Sequence, residues 1–188
     1  MKNFKLKWTF FRFPRLINEK YFLNIASVGL DADIVYNAIA FKKMKFIKKD
    51  MAYILSICKT IFGKKGISIK VMLDGREISD KKVLFLAVAN GKFYGGGVPI
   101  TPNAEINDGL ADVCLVENLN LLKIFRLLPK LVKAKHTEAK EVEIYRAKKI
   151  EIESENLVRV NIDGEIVELD KLIMEVIPKA IKLIIPAL

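Results

Sequence analysis

Two cysteines, one histidine, one tryptophan and ten glycines are all that the 188 residues carry of those types. Cys58 and Cys114 are too few for a disulfide framework or a cysteine zinc cluster, and free thiols suit a reducing compartment. His136 alone excludes any site built on several imidazoles. A Ser-His-Asp or Cys-His catalyst would have to rest on it. Its place between Lys135 and Thr137, in a basic segment, reads as surface. No stretch reaches the roughly 20 apolar residues of a membrane-spanning helix. The longest charge-free stretch, Phe93 to Ala104, holds Gly95, Gly96, Gly97 and two prolines, and reads as a loop. The opening M-K-N-F-K-L-K-W lacks the unbroken apolar core of a signal peptide. A cytoplasmic protein is the expectation.

What is there suits one compact domain with a real core. Hydrophobic residues make up 52% of the chain, which excludes disorder from low hydrophobicity. Lys and Arg total 32 against 22 acids, a net charge of +10. The excess concentrates at 1–20, 41–70 and 123–149. Residues 41–70 hold nine lysines and one acid, Asp50. A basic amphipathic helix of that kind can lie on anionic lipid, and a solvated helix face is the plainer reading. Specific nucleic-acid binding ranks last, because no recognition motif accompanies the charge.

Periodicity predicts a mainly β domain. Residues 1–20 interleave Phe4, Trp8, Phe10, Phe11 and Phe13 with basic residues and read as an entering strand at a sheet edge. Residues 21–30 read as a buried strand. Ile39, Met44, Ile47, Met51, Ile54, Leu55, Cys58 and Ile61 recur at helical spacing over 36–62. Strands follow at 67–73, 83–90 and 112–117. Residues 121–135 return to helical spacing, with Pro129 kinking or splitting the helix. Six short strands are expected at 141–146, 149–153, 157–162, 165–169, 172–177 and 181–185. The architecture expected is an antiparallel β-sandwich with two helical insertions (mainly β, α+β).

Three Asp-Gly pairs punctuate the chain, at 74–75, 108–109 and 163–164. Each alone is a turn. Asp108-Gly109 closes a long loop over 93–113 in which Glu105, Asn107, Asp108 and Asp112 offer hard oxygens, better suited to magnesium or calcium than to zinc. Asp163-Gly164-Glu165 holds two carboxylates between alternating strands, and paired acids can divide into base and charge roles.

Four segments occur in order: F-L-N-I-A-S-V-G-L-D-A (22–32), V-A-N-G-K-F-Y-G-G-G (88–97), P-N-A-E-I-N-D-G-L-A-D-V (102–113) and N-I-D-G-E (161–165). Together they resemble the bacterial diacylglycerol kinase and sphingosine-kinase-like lipid kinase family, in the NAD kinase/diacylglycerol kinase superfamily. An NAD-kinase-like enzyme is disfavoured by the continuous match to the lipid-kinase loop. The resemblance runs from about residue 20 to the C-terminus and covers that family's C-terminal domain. It implies an ATP-dependent phosphotransferase acting on a lipid hydroxyl, with residues 1–20 as the interdomain connection and 21–188 as the C-terminal β-sandwich domain. The N-terminal domain would hold ATP through G-G-D-G-T. None of the ten glycines, at 29, 63, 66, 75, 91, 95–97, 109 and 164, lies in such a motif, and no G-x-x-x-x-G-K-[ST] occurs. The expectation is that these residues alone are inactive and need an N-terminal kinase domain as partner.

The resemblance also assigns roles. Glu165 would take the proton of the lipid hydroxyl, with Asp163 beside it supporting the base or the metal-phosphate cluster. Magnesium would be held by the Asp108 side chain and the carbonyls of Glu105 and Leu110. Asn90, Gly91 and Gly95 to Gly97 match the family without a sharp role. The expected partners are a lipid with a free hydroxyl and an anionic membrane surface, reached peripherally from the cytoplasm at the inner membrane. The competing reading is a non-catalytic membrane- or partner-binding module derived from such a kinase.

Overall fold

The computed structural model describes residues 6–16, 21–42, 49–63, 66–94 and 97–186. Eight strands and three helices follow in the order β1 (Leu6–Leu16), β2 (Ile25–Gly29), α1 (Leu30–Lys42), α2 (Lys49–Gly63), β3 (Ile67–Leu73), β4 (Arg76–Ala89), β5 (Ala111–Glu117), α3 (Leu121–Val132), β6 (Val142–Ala147), β7 (Lys149–Ile162) and β8 (Glu165–Pro186). The domain is mainly β with helical insertions, as the periodicity predicts. A single 3-10 turn, His136–Glu138, follows α3.

Among the described residues all strand pairings are antiparallel, and they join in one sheet of order β1-β8-β7-β2-β4-β5-β6. β3 also pairs with both β4 and β7. The slot between those two long strands is therefore shared by β2 at one end and β3 at the other. Alternation along the strands sends side chains to two faces. Leu86, Val88, Val113 and Leu115 join one buried cluster. Their neighbours Phe85, Ala87, Ala89, Cys114 and Val116 join another. Leu172 and Met174 of β8 share the first cluster with Val113 of β5, although three strands separate β8 from β5 in the sheet. The sheet therefore curls over its own inner face, giving the two-layered form. The second cluster faces the helices and the 94–100 loop.

β1 pairs with β8 at the sheet edge, as expected for 1–20; residues 1–5 and 17–20 lie outside the described residues. The short strands expected after residue 149 are fused into β7 and β8, each longer than periodicity suggests. A register shift between Glu153 and Val158 interrupts the β7–β8 pairing, which is why alternation broke there. The single helical face expected over 36–62 is corrected. The segment forms two helices, and Ile39, Leu55 and Cys58 are exposed while Ile61 is buried. Met44, Ile47 and most of the lysine run lie outside the described residues or their described side chains. Helix α3 continues through Pro129 rather than splitting.

Gly29 makes the strand-to-helix switch from β2 into α1. Its φ is +92°, and a Cβ there would come within 2.5 Å of the Leu84 carbonyl oxygen. Only glycine meets both demands. This switch places Asp31 in the first turn of α1, directly after the buried strand.

Candidate functional site

The site begins at the turn joining β7 to β8. Asp163 and Gly164 both have positive φ, +47° and +101°, the geometry of a tight two-residue hairpin. The Asp163 carboxylate accepts the backbone N–H groups of Asn24 at 3.1 Å and Ile25 at 2.9 Å, and that of Leu23. Its own N–H donates to the Ile25 carbonyl at 3.0 Å. Asp163 therefore ties the turn to the start of β2. Glu165 opens β8 with an exposed side chain. The two acids are neighbours as expected, but their duties differ: Asp163 is occupied, and the Glu165 side chain has no partner among the described residues.

Asn161 carries the turn inward. Its Oδ1 accepts the Gly164 N–H at 2.8 Å, while its Nδ2 donates to Asp31 Oδ2 at 2.9 Å and to the Tyr94 hydroxyl at 3.0 Å. Ser27 Oγ and the Tyr94 hydroxyl also donate to the Asp31 carboxylate. Asp31, Ser27 and Asn161 are all buried. Burial pushes the Asp31 carboxyl above its ordinary pKa, against the opposing pull of the Ser27 and Asn161 hydrogen bonds. Asp31, Tyr94 and Asn161 lie within the family-like segments of the sequence but carry no role that spacing alone assigns. An acid directly after an apolar strand was the available signal, because such an acid needs partners.

Asp31 and Tyr94 stand at an apolar pocket of about 320 Å³ between the sheet and the helices. All three helices, β4 and β5 line it, with Val98 and Ile100 from the loop. His136 is a lining residue too, which corrects its reading as surface: it is 2% exposed. Its Nε2 lies 2.8 Å from the Ile100 carbonyl oxygen. A carbonyl only accepts, so Nε2 carries the proton, and burial lowers the imidazole pKa. The 3-10 turn after α3, invisible to charge patterning, is what turns His136 inward.

The loop before β5 and the start of that strand, rather than a loop running to 113, gather acids beside β6. Asp108 Oδ1 accepts the Leu110 N–H at 2.9 Å, and Oδ2 pairs with the Arg146 guanidinium. Asp112 is 2% exposed, and its Oδ2 has no hydrogen-bond partner. Burial first, then the negative charge of Glu105, pushes the Asp112 carboxyl up to about 6. Three acids against one guanidinium, with a buried carboxylate oxygen left over, suit a hard cation such as magnesium. Among the described residues, no three acid, cysteine or histidine side chains converge as a ligand set. A bound ion would therefore draw mainly on backbone carbonyls, of which Glu105 and Leu110 are the expected ones. No described helix is long and apolar enough to cross a membrane.

Comparison with known proteins gives the family and the fold. A family model described as the YegS C-terminal NAD kinase beta sandwich-like domain matches residues 24–185. A diacylglycerol kinase of Mycobacterium tuberculosis is 29% identical over 147 residues, covering 78% of this chain and 46% of the relative. A diacylglycerol kinase of Bacillus subtilis is 23% identical over 149 residues, covering 79% and 48%. The crystal structure of a diacylglycerol kinase from Bacillus anthracis shares the fold with a TM-score of 0.62 at 19% identity, over 94% of this chain and 53% of that one. The chain thus spans about half the length of the curated relatives it matches.

Proposed function

The chain belongs to the YegS C-terminal, NAD-kinase-like β-sandwich family, and from that premise we propose that it is the lipid-binding half of an ATP-dependent lipid kinase. The observation that supports this reading is the Asn161 bridge. One side-chain amide holds the Gly164 N–H of the acidic turn and also Asp31 and Tyr94 at the apolar pocket. A lipid chain in the pocket would present its hydroxyl toward a turn carrying a free carboxylate.

Glu165 takes the hydroxyl proton as the oxygen attacks the γ-phosphorus of ATP; the bond from that phosphorus to the β–γ bridging oxygen breaks, the phosphoryl group passes to the lipid and ADP leaves. Asp163 positions the turn through its three backbone bonds. ATP is held by a nucleotide-binding domain outside these 188 residues. Magnesium, when bound in the loop, would be held by Asp108 with the Glu105 and Leu110 carbonyls and would neutralise local charge. An anionic membrane surface is the proposed source of substrate.

The test is ATP-dependent phosphorylation of a panel of diacylglycerols and sphingoid bases. The chain is joined to the nucleotide-binding half of a relative, with the 188 residues alone as control. The joined protein transfers phosphate and the control does not. Glu165→Gln lowers kcat by about a hundredfold or more. Equal turnover by Glu165→Gln removes the base assignment. No transfer to any lipid by a joined protein that binds ATP favours the non-catalytic module.

A further inference from the structure

Three side chains that line the apolar pocket carry oxygen or nitrogen: Asp31, Tyr94 and His136. The first two are satisfied by protein. Asp31 accepts from Ser27, Tyr94 and Asn161, and the Tyr94 hydroxyl accepts from Asn161 as it donates to Asp31. His136 is satisfied on one side only. Its Nε2 donates to the Ile100 carbonyl at 2.8 Å, while Nδ1, closed off from solvent, has no partner among the described residues. With the proton on Nε2, Nδ1 is a bare acceptor in an apolar wall. Buried polar atoms without partners are rare in folded proteins, and each needs a reason.

A structural role accounts for Nε2, which ties Ile100 to the turn after α3. It does not account for Nδ1. The backbone commits to this placement. Ala134, between α3 and His136, has a φ of +57°, a left-handed conformation that costs energy for a residue with a Cβ. Ala134 and Lys135 return their N–H groups to Leu131 and Lys130, closing α3 so that His136 follows it into the interior. The 3-10 turn packs on α3. Leu127, Leu128 and Leu131 of that helix line the same cavity and are half-buried, free to shift as a chain enters.

We propose that His136 Nδ1 accepts a hydrogen bond from the ligand of this pocket, and that the ligand is a lipid with a hydroxyl on its apolar chain besides the hydroxyl that reacts. A plain ester-linked chain offers only acceptors and meets Nδ1 lone pair to lone pair. A chain-borne hydroxyl supplies the missing donor. A site built to bond a hydroxyl rejects the analogue without one far more sharply than an apolar wall does. His136 is thus a specificity residue, and the inference rests on the reading of this cavity as the seat of the lipid chain.

The 188-residue chain holds one histidine, so isotope-labelled histidine gives a single imidazole in nitrogen NMR. Methyl-labelled isoleucine reports filling of the pocket through Ile100 and Ile124. The probes are decanediol, with a hydroxyl at each end, and its dimethyl ether, which lacks the donors. The ligand-free chain shows the Nε2–H tautomer. Both probes move the two methyl signals, and decanediol alone moves the Nδ1 resonance upfield. His136→Phe keeps a ring in place and weakens decanediol about fivefold more than the ether. A merely structural histidine would weaken both alike. An Nδ1–H tautomer overturns the proposal, as do equal losses of the two probes in His136→Phe. Should that variant fail to fold, the native Nδ1 resonance decides. Methyl signals that move while Nδ1 does not overturn this inference alone. Methyl signals indifferent to both probes overturn it together with the lipid reading of the cavity.

Discussion

Asn161 donates its side-chain amide to Asp31 Oδ2 at 2.9 Å, fastening the end of β7 to the first turn of α1. The oxygen of that amide accepts the Gly164 N–H. Asn161→Leu therefore removes these two bonds and the one to the Tyr94 hydroxyl at once, and leaves buried polar groups short of partners. The expected loss is about 1–3 kcal/mol of unfolding free energy, measured by urea denaturation. Asn161→Asp is worse at neutral pH than at pH 4, since it sets a second carboxylate against Asp31. Equal stability of Asn161→Leu and the native chain would show that the bridge carries nothing.

Asp31 gives the pH dependence a sign. Burial raises its folded-state pKa above the unfolded value near 3.9. Below that unfolded value both states are protonated and the group contributes nothing. As pH rises, the unfolded chain ionises first, so stability is lost up to and through the folded pKa. Against Asp31→Asn, the native chain holds its greatest advantage near pH 4 and loses part of it by pH 7. Urea unfolding of both proteins across that range reads the difference, and a constant gap contradicts a raised Asp31.

The two thiols separate cleanly. Cys58 is exposed and Cys114 is fully buried, with its thiol pushed up to about 12 by desolvation. A thiolate is the reactive form, so Cys114 is inert in the folded state. Titration with a disulfide reagent gives one equivalent in native buffer and two in denaturant. Two native equivalents would mean that the pocket wall at Cys114 opens to solvent.

The strands and the acidic turn were legible because period-two alternation and Asp-Gly pairs act locally. β3 reads directly from Ile67, Ile69, Val71 and Leu73, and its Asp74-Gly75 turn has the two positive φ values such a pair favours. The roles of Asp163 and His136 were not legible, because both depend on distant backbone. Asp163 meets residues 138 to 140 positions away, and His136 meets Ile100 across 36. Spacing along one chain carries no record of such closures. The pocket was hidden for a related reason: its wall mixes one face of a sheet with three helices, and each apolar residue alone looks like core.

Magnesium stabilises the acidic loop if it binds there. At ten times its dissociation constant, a ligand specific to the folded state adds about 1.4 kcal/mol. That amounts to a rise of a few degrees in Tm. Chelator abolishes the rise, and so does Asp108→Asn. The Arg146 guanidinium already neutralises part of this loop, so Arg146→Gln lowers Tm without magnesium and enlarges the magnesium increment. A native Tm indifferent to magnesium would leave Arg146 as the loop's sole cation and withdraw the Glu105, Asp108 and Leu110 ligand set.

The pocket can be filled without touching the acidic turn. Leu128 sits on α3 and lines the cavity, half-buried rather than locked in the sheet core. A tryptophan there has open volume to enter, so the cost of overpacking a closed core does not apply. Leu128→Trp is expected to keep its Tm within a few degrees while its affinity for a fluorescent diacylglycerol analogue in detergent falls about tenfold or more. Leu157→Trp adds the same ring at a 66% exposed position away from the pocket lining and leaves affinity unchanged. If the two substitutions weaken binding equally, the effect is one of surface apolarity. If neither does, the acyl chain lies elsewhere and the cavity is only a gap between helices and sheet.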